Sequence, residues 1–361
     1  MKEQPLPSLR IAMLGQKHSF SREGGVEVVA GALALRMAML GHSVTLFDRS
    51  PRPQGLPFPR LAGLRLRQVA TLNCGGLAAF TSSLAAAVRA AFGPYDVVHF
   101  HAEGPAAVCW IPKLAGKRVI CTIHGLDWQR EKWGCLASAY IRLGEKTAVR
   151  FADEIIVLNE NTRDYFRERY GRETCVVPNG TSKAEKLPAR MIRQTWDLAP
   201  DGFVLFVGRL VPEKGLRLLL NAWRGIETEK TLVIAGGGAC SFLRELEAIA
   251  GNNVLFTGPV QGQILEELYS NAYLFVLPSD LEGMPLSLLE AMSYANCCLV
   301  SDIPSCRETA EDGALYFAQG DEESLRAALQ ELLDHPDAVM RWRETAASVI
   351  SKKHSWDEIA A

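Results

Sequence analysis

The stretch YLFVLPSDLEGMPLSLLE, residues 273–290, passes from a strand to a helix through a single turn. Tyr273 to Leu277 is an unbroken apolar run of strand length, and Pro278-Ser279-Asp280 is a turn signal. Pro285 suits the first turn of the helix, where its missing N–H leaves nothing unsatisfied. Glu282 stands just before that helix and Glu290 about one and a half turns into it. An apolar run buried on both faces, followed directly by a helix, is the repeating unit of a parallel α/β sheet.

The same alternation recurs along the chain. Residues 9–14, 43–47, 95–100, 118–123 and 154–158 read as strands, and residues 23–40 have helical apolar spacing. The pattern then restarts with strands at 204–207, 231–235, 254–256, 273–277 and 298–301. The polar stretch 179–186, closed by Leu187-Pro188, reads as a hinge. The expected fold is therefore α/β, with two doubly wound Rossmann-like domains facing across a cleft. Residues 1–180 form the first, acceptor-side domain and residues 181–340 the second. A helical tail follows over 341–361. Open α/β sheets bind ligands beyond the carboxyl ends of their strands, so loops at those ends are where chemistry is expected.

Composition agrees with an ordinary globular chain of two domains. It has 361 residues, 48% hydrophobic and 22% charged. The formal net charge of -2 hides an asymmetry. Residues 1–185 carry 24 Lys and Arg against 16 Asp and Glu, or +8; the remainder carry 15 against 25, or -10. A basic first half suits an anionic partner. No apolar run reaches the roughly 18 residues that span a bilayer. The first ten residues lack the apolar core of a secretion signal. The nine cysteines show no metal-ligand spacing, and Cys121, Cys175 and Cys297 sit in apolar runs as small core residues. These features fit a reducing, cytoplasmic compartment.

Several strand-end motifs carry chemistry. The amides around Gly283, Met284 and Leu286 lie at a helix start, which attracts phosphate through unpaired N–H groups and the helix dipole. Glu282 and Glu290 suit a sugar hydroxyl and a ribose hydroxyl; the plainer alternative is a helix cap and a solvated face. Gly208-Arg209-Leu210-Val211-Pro212-Glu213-Lys214-Gly215 puts two cations on one loop after a strand. Arg binds phosphate oxygens in a bidentate fork and Lys adds a point charge, so together they neutralise a departing diphosphate. Gly24-Gly25-Val26-Glu27 opens the first helix and allows close backbone approach, though a simple turn reads equally well. His124, in Thr122-Ile123-His124-Gly125, is placed to donate to a sugar hydroxyl or a phosphate, and His99 and His101 lie near another strand end as acceptor-side candidates. The sequence has no Asp-x-Asp, no G-x-G-x-x-G after the first strand and no G-K-[ST]. Neither a metal nor any other cofactor is expected.

In combination, Gly24 to Glu27, His124-Gly125, Gly208-Arg209 with Lys214-Gly215, and Glu282 with Glu290 eight residues later resemble the GT-B glycosyltransferases of family 4. The likeness runs from about residue 10 to about residue 358. The segment from His124 to Arg130 resembles bacterial members that build surface polysaccharide, including rhamnosyltransferase-like ones. The resemblance implies a retaining, metal-independent transfer of a hexose-type sugar from a nucleoside-diphosphate sugar to a glycan or lipid-linked acceptor. It implies that Arg209 and Lys214 bind the diphosphate, with Gly208 and Gly25 close to it. Glu282 contacts the donor sugar, and the amides flanking Pro285, at Met284 and Leu286, hold phosphate and sugar. Glu290 takes the ribose, Val260 lines the base, and His124 assists at the reacting centre.

Two alternatives share this architecture: a nucleotide-sugar 2-epimerase, which needs no acceptor, and a non-catalytic nucleotide-sugar sensor. Relatives of this kind end in a helix that crosses back to the first domain; here Ser355-Trp356-Asp357-Glu358 begins that pattern and the crossing is expected to be short or missing. Residues 128–142 mix Trp128, Trp133, Leu136, Tyr140 and Ile141 with Arg130, Lys132 and Arg142. They read either as an amphipathic helix touching the inner face of the plasma membrane or as a domain helix with a packed apolar face. Lys214 and Glu290 are both expected to be exposed. No nucleic-acid partner is expected.

Overall fold

A computed structural model describes residues 7–74, 77–129, 134–353 and 355–361. The chain divides into two units, one formed by residues 1–179 with 356–361 and the other by residues 180–355.

The first unit is built on the strands β1 (Arg10–Leu14), β2 (Ser43–Arg49), β3 (Leu64–Val69), β4 (Val97–His101), β5 (Arg118–Ile123), β6 (Glu154–Val157) and β7 (Cys175–Val176). Their order is β3-β2-β1-β4-β5-β6-β7, and the pairings are parallel. Small residues let the helix Ala78–Phe92 lie close on this sheet: Ala86, Ala87 and Ala90 are buried against Ala12, Leu14, Phe47 and Val98. The helix Glu160–Tyr170 is fixed at both ends. The Asn159 side chain accepts from the Thr162 amide at 2.8 Å, and Gly171 closes it in the left-handed region.

The second unit carries β8 (Phe203–Val207), β9 (Thr231–Ala235), β10 (Val254–Gly258), β11 (Leu274–Leu277), β12 (Cys298–Ser301) and β13 (Leu315–Phe317) in the order β10-β9-β8-β11-β12-β13. Its core is larger, with Trp223, Phe203, Phe206 and Phe275 fully enclosed. Burying side chains of this size contributes roughly 1.5–3 kcal/mol each.

In each sheet the strand order reverses once, between β1 and β4 in the first and between β8 and β11 in the second. Diverging loops at such a point leave a crevice beyond the carboxyl ends of the strands. The loops after β8 and β11 carry residues 208–215 and 278–290; those after β1 and β4 carry residues 15–25 and 102–106.

Some expectations are corrected. The tail expected over 341–361 is shared: the helix Pro336–Ile350 belongs to the second unit, whereas the helix Trp356–Ala360 packs on the helix Gly25–Met39 of the first. There Trp356 is buried and Arg36 Nε donates to Asp357 Oδ1 at 2.8 Å, so the return to the first unit is made. Cys175 is exposed, not a core residue, because β7 is a two-residue edge strand; Cys121 and Cys297 are buried. Trp128 lies in a single 3-10 turn, Asp127–Gln129, and the long helix starts at Cys135. Arg130, Lys132 and Trp133 lie outside the described residues.

Candidate active site

The loop after β8 is held from both sides by its neighbours. On one side the Gly208 amide donates to Ala235 O at 3.0 Å and the Leu210 amide to Gly237 O at 2.8 Å. On the other, the Asp280 amide donates to Glu213 O at 2.9 Å. Gly215 ends the 3-10 turn Pro212–Lys214 at a φ of +66°, and a Cβ there would stand 1.8 Å from Pro278 O. Only glycine satisfies both the left-handed backbone and this approach. The result is that Lys214 and Glu282, 68 residues apart, meet: Lys214 Nζ is bonded to Glu282 Oε1, which also accepts from Ser279 Oγ at 2.7 Å. The two side chains are 12% and 9% exposed. Lys214 is thus enclosed in an ion pair, contrary to the exposure expected for it. Arg209, next to Gly208, is half-buried and has no ion-pair partner among the described residues. A half-buried cation beside an enclosed pair leaves one uncompensated positive charge at this sheet edge.

The helix after β11 runs Leu286–Ser293, with Pro285 as its N-cap and no side-chain cap bond. Pro285 therefore stands one position earlier than the first turn expected for it. Its carbonyl already accepts from Leu288 at 3.1 Å, while the Leu286 and Ser287 amides lack partners among the described residues. Gly283 and Met284 precede them in the same turn. Glu290 is not fully exposed either. Its Oε2 accepts from Tyr269 Oη at 3.0 Å, and the Tyr269 ring stacks on Tyr294 at 5.5 Å. Val260 follows β10 and packs partly against the core; β10 is two strands from β8, and no described contact joins Val260 to Arg209 or Lys214.

In the first unit, Gly24 is the N-cap of the helix Gly25–Met39 and lacks a side-chain cap bond. The buried Glu27 carboxylate folds back beside it and accepts from the Lys17 amide at 2.9 Å. His124 is half-buried after β5. Its Nε2 lies 3.1 Å from His101 Nδ1, and the His101 ring stacks on His99 at 4.3 Å. His99 Nε2 in turn meets Thr122 Oγ1 at 2.7 Å. His99 and His101 are enclosed in β4 rather than open to an acceptor. Burial pushes His99 down to about 3 and His101 well below the imidazole range, so both are neutral near pH 7.

Beneath the loop after β5 lie two carboxyl groups that the sequence did not single out. Glu103 Oε2 accepts from the Asp127 amide at 2.8 Å, and Glu145 accepts from Trp128 Nε1 at 3.2 Å, from Tyr165 Oη at 2.9 Å and from Tyr170 Oη. Both are fully enclosed. Burial first, then the Asp127 and Glu145 carboxyls, push Glu103 well above the usual carboxyl range. The loop carrying His124 and Trp128 is therefore pinned from below. Ser279 and Tyr269 were also missed. Each contacts a motif carboxylate, but a lone Ser or Tyr has no spacing signal of its own.

Among the described residues no group of three or more His, Cys, Asp or Glu side chains is placed to hold a metal ion. What the second unit offers an anion at its switch point is Arg209, unpaired among the described residues, a lysine already paired with Glu282, two helix amides and a strand-end loop of fixed shape.

Known proteins share this plan. Residues 191–349 match the family Glycosyl transferases group 1, and residues 23–185 match Glycosyltransferase Family 4. The alpha-D-kanosaminyltransferase of Streptomyces kanamyceticus is 26% identical over 286 residues, spanning 72% of this chain and 73% of that one. The sucrose-phosphate synthase of Thermosynechococcus elongatus superposes with a TM-score of 0.80 over 98% of this chain and 96% of its own, at 21% identity. Anabaena HepE, solved in complex with UDP-glucose, gives 0.80 over 98% and 97%, at 18% identity. The chain is a GT-B-fold glycosyltransferase. The two matched families divide between the two units of the enzyme, and the motif residues after β8 and β11 fall within the Glycosyl transferases group 1 match.

Proposed function

We propose that the enzyme is a retaining glycosyltransferase of the family 4 type. It moves a hexose-type sugar from a nucleoside-diphosphate sugar to a glycan or lipid-linked acceptor in cell-surface polysaccharide synthesis. The observation that carries this reading is the loop 208–215 held against the turn 278–282, which places Arg209 and the Lys214–Glu282 pair at the switch point of the second sheet. Arg209 and Lys214 take the diphosphate, whose charge rises as it departs, with Gly208 and the Leu286 and Ser287 amides beside it. Glu282, oriented by Lys214 and Ser279, accepts from the donor sugar's hydroxyls, together with the Gly283-Met284-Pro285 turn. Glu290, held by Tyr269, takes the ribose, and Val260 lies along the base. In the transfer, the acceptor oxygen bonds to the anomeric carbon as the bond to the diphosphate oxygen breaks, and the acceptor proton passes to that leaving oxygen. Anabaena HepE, solved with UDP-glucose, supports a donor of this class.

On the acceptor side, His124 donates to a sugar or phosphate oxygen, and Gly24 and Gly25 offer a helix start in the first unit. A cavity of about 800 Å³ lined by Trp128, Gln129, Arg142 and Lys146 suits a sugar with an anionic group. Trp128 supplies a flat face, already covered on one side by Arg142 at 4.3 Å, and Lys146 a charge. Leu136 and Leu143, seven residues apart and exposed, would meet the inner face of the plasma membrane beside these cations. Among the described residues no helix is long and apolar enough to cross a membrane.

The test is incubation with a panel of labelled nucleoside-diphosphate sugars, with and without lipid-linked and free glycan acceptors. Release of nucleoside diphosphate that depends on acceptor is expected. A changed sugar without acceptor would mean epimerisation, and binding without turnover a sensor. Sedimentation with anionic vesicles checks the membrane contact.

A further inference from the structure

Part of the positive excess of the first half lies away from the carboxyl ends of the strands. A cavity of about 420 Å³ opens at the other end of the first sheet, where the strands begin. It is lined by Arg10, Arg65, Arg67 and Arg89, with Thr45 and Tyr95 among the other walls, and no carboxylate lines it among the described residues. The register explains the grouping. Arg10 lies opposite Ser43, Thr45 opposite Arg65, and Phe47 opposite Arg67, so alternate residues of three strands share one face. Arg89, in the last turn of the helix Ala78–Phe92, donates from Nη1 to Gln68 O at 2.8 Å, which holds its guanidinium at the sheet. Gly93 lets the Tyr95 ring in, since a Cβ there would stand 2.5 Å from Tyr95 Cε2. That ring meets Phe47 edge to face at 6.0 Å.

Arg10 is satisfied by Asp96, through its backbone amide at 2.8 Å and its Nε at 3.0 Å. Arg65, Arg67 and Arg89 have no carboxylate within ion-pairing distance among the described residues. Three like charges gathered round one concavity repel one another unless an anion joins them. Guanidinium forks are matched to phosphate oxygens. The concavity belongs to the first unit, whereas Arg209 and Lys214 belong to the second.

We propose that this cavity is a second anion site, distinct from the donor site, and that it binds a ligand bearing two or more phosphate groups. Arg65 and Arg67 grip it from the edge strand β3, Arg89 from the helix end, and the Phe47–Tyr95 pair forms an apolar wall. The phosphates come either from a soluble diphosphate or from a lipid headgroup.

The probe is inorganic pyrophosphate, titrated calorimetrically into the full chain at low salt, where such contacts are least screened. Two classes of site are expected in the parent. Arg65→Ala/Arg67→Ala should weaken one class at least tenfold and leave the other, whereas Arg209→Ala should do the reverse. All three residues are at least partly exposed, and thermal unfolding confirms folding. Arg89→Gln is a further variant that leaves the strand untouched and should weaken the same class. Pyrophosphate binding of parent strength and stoichiometry in the Arg65→Ala/Arg67→Ala variant overturns the proposal, as does a single class abolished by Arg209→Ala. Aggregation of the double variant with unchanged binding would instead assign the arginines to guarding the edge strand, and overturns it too. If the variant loses pyrophosphate, sedimentation with vesicles containing a lipid diphosphate identifies the source: parent-only binding means a headgroup, and no binding by either means a soluble ligand.

Discussion

Replacing Lys214 by alanine should destabilise the second unit, contrary to what an exposed cation would do. Lys214 and Glu282 are 12% and 9% exposed, so they lie near the buried end of the ion-pair range. Removing one partner of a fully buried pair costs about 3–5 kcal/mol, because the other charge is stranded away from water. Exposed pairs are worth about 0–1 kcal/mol. Here Ser279 Oγ still donates to Glu282, retaining roughly 1 kcal/mol of the stranded carboxylate's hydrogen bonding. With that bond retained and the pair slightly exposed, the expected loss is about 2–3 kcal/mol. For a unit of this size each kcal/mol moves Tm by roughly 2–4 °C, which gives a fall of roughly 4–12 °C. Both Lys214→Ala and Glu282→Ala should also abolish turnover, so activity cannot separate a donor contact from a structural one. Stability can. In Lys214→Ala/Glu282→Ala the stranded charge is gone, and Tm should recover part of the loss instead of falling by the sum of the two single effects. Arg209→Ala, which breaks no ion pair, should lose turnover with Tm nearly unchanged. Differential scanning calorimetry of the parent and these four variants decides the matter. A Lys214→Ala Tm within about 1 °C of the parent, or strict additivity in the double variant, would refute the enclosed-pair reasoning.

Other outcomes follow from the same geometry. Gly215→Ala should cost at least about 2 kcal/mol, since it forces a side chain into the left-handed region and against Pro278 O; thermal unfolding reads this directly. Tyr269→Phe removes the donor to Glu290, and steady-state kinetics should show KM for the donor rising several-fold with a smaller change in kcat. His99 and His101 have depressed pKa values, so the stability they contribute is present above the ordinary 6.5 and lost as pH falls towards their folded values. Glu103 is raised, so its contribution is full below the ordinary 4.5 and lost as pH rises through the folded value. Glu103→Gln should therefore flatten the fall of Tm between pH 7 and 9 and steepen the fall between pH 6.5 and 5. A Tm profile indistinguishable from the parent's across both ranges would contradict the enclosed carboxylic acid.

The fold was legible because buried parallel strands are written as apolar runs. Residues 118–123, 231–235 and 298–301 were read with the bounds the structure has. The strands that were missed are those where this rule fails. β3 alternates Leu64, Leu66 with Arg65, Arg67 at the edge of its sheet, and β7 and β13 are too short to form a run. The loop 208–215 and the turn 278–282 were legible because glycine, cation and carboxylate occur at fixed offsets. What the sequence could not show is which side chains close on each other. The Lys214–Glu282 pair spans 68 residues, and its enclosure depends on Gly215 lying under Pro278. Glu103 and Glu145 were invisible for a related reason: each is a single acid with no periodicity, and only the packing of three segments brings them beneath one loop. His99 and His101 read as strand-end residues, but both point into the sheet's surroundings from β4 itself.

Thr181 and Ser355 form an isolated parallel bridge where the backbone leaves the first unit and where it returns. Severing the polypeptide at either place alone does not yield two self-contained fragments, because the last six residues would remain with the wrong partner. A half-length product ending near residue 179 lacks the Trp356 plug over its first helix and exposes apolar surface there. Separate expression of the halves therefore calls for residues 356–361 to be grafted onto the amino-terminal piece, and a protease nick near residue 181 should leave the enzyme associated.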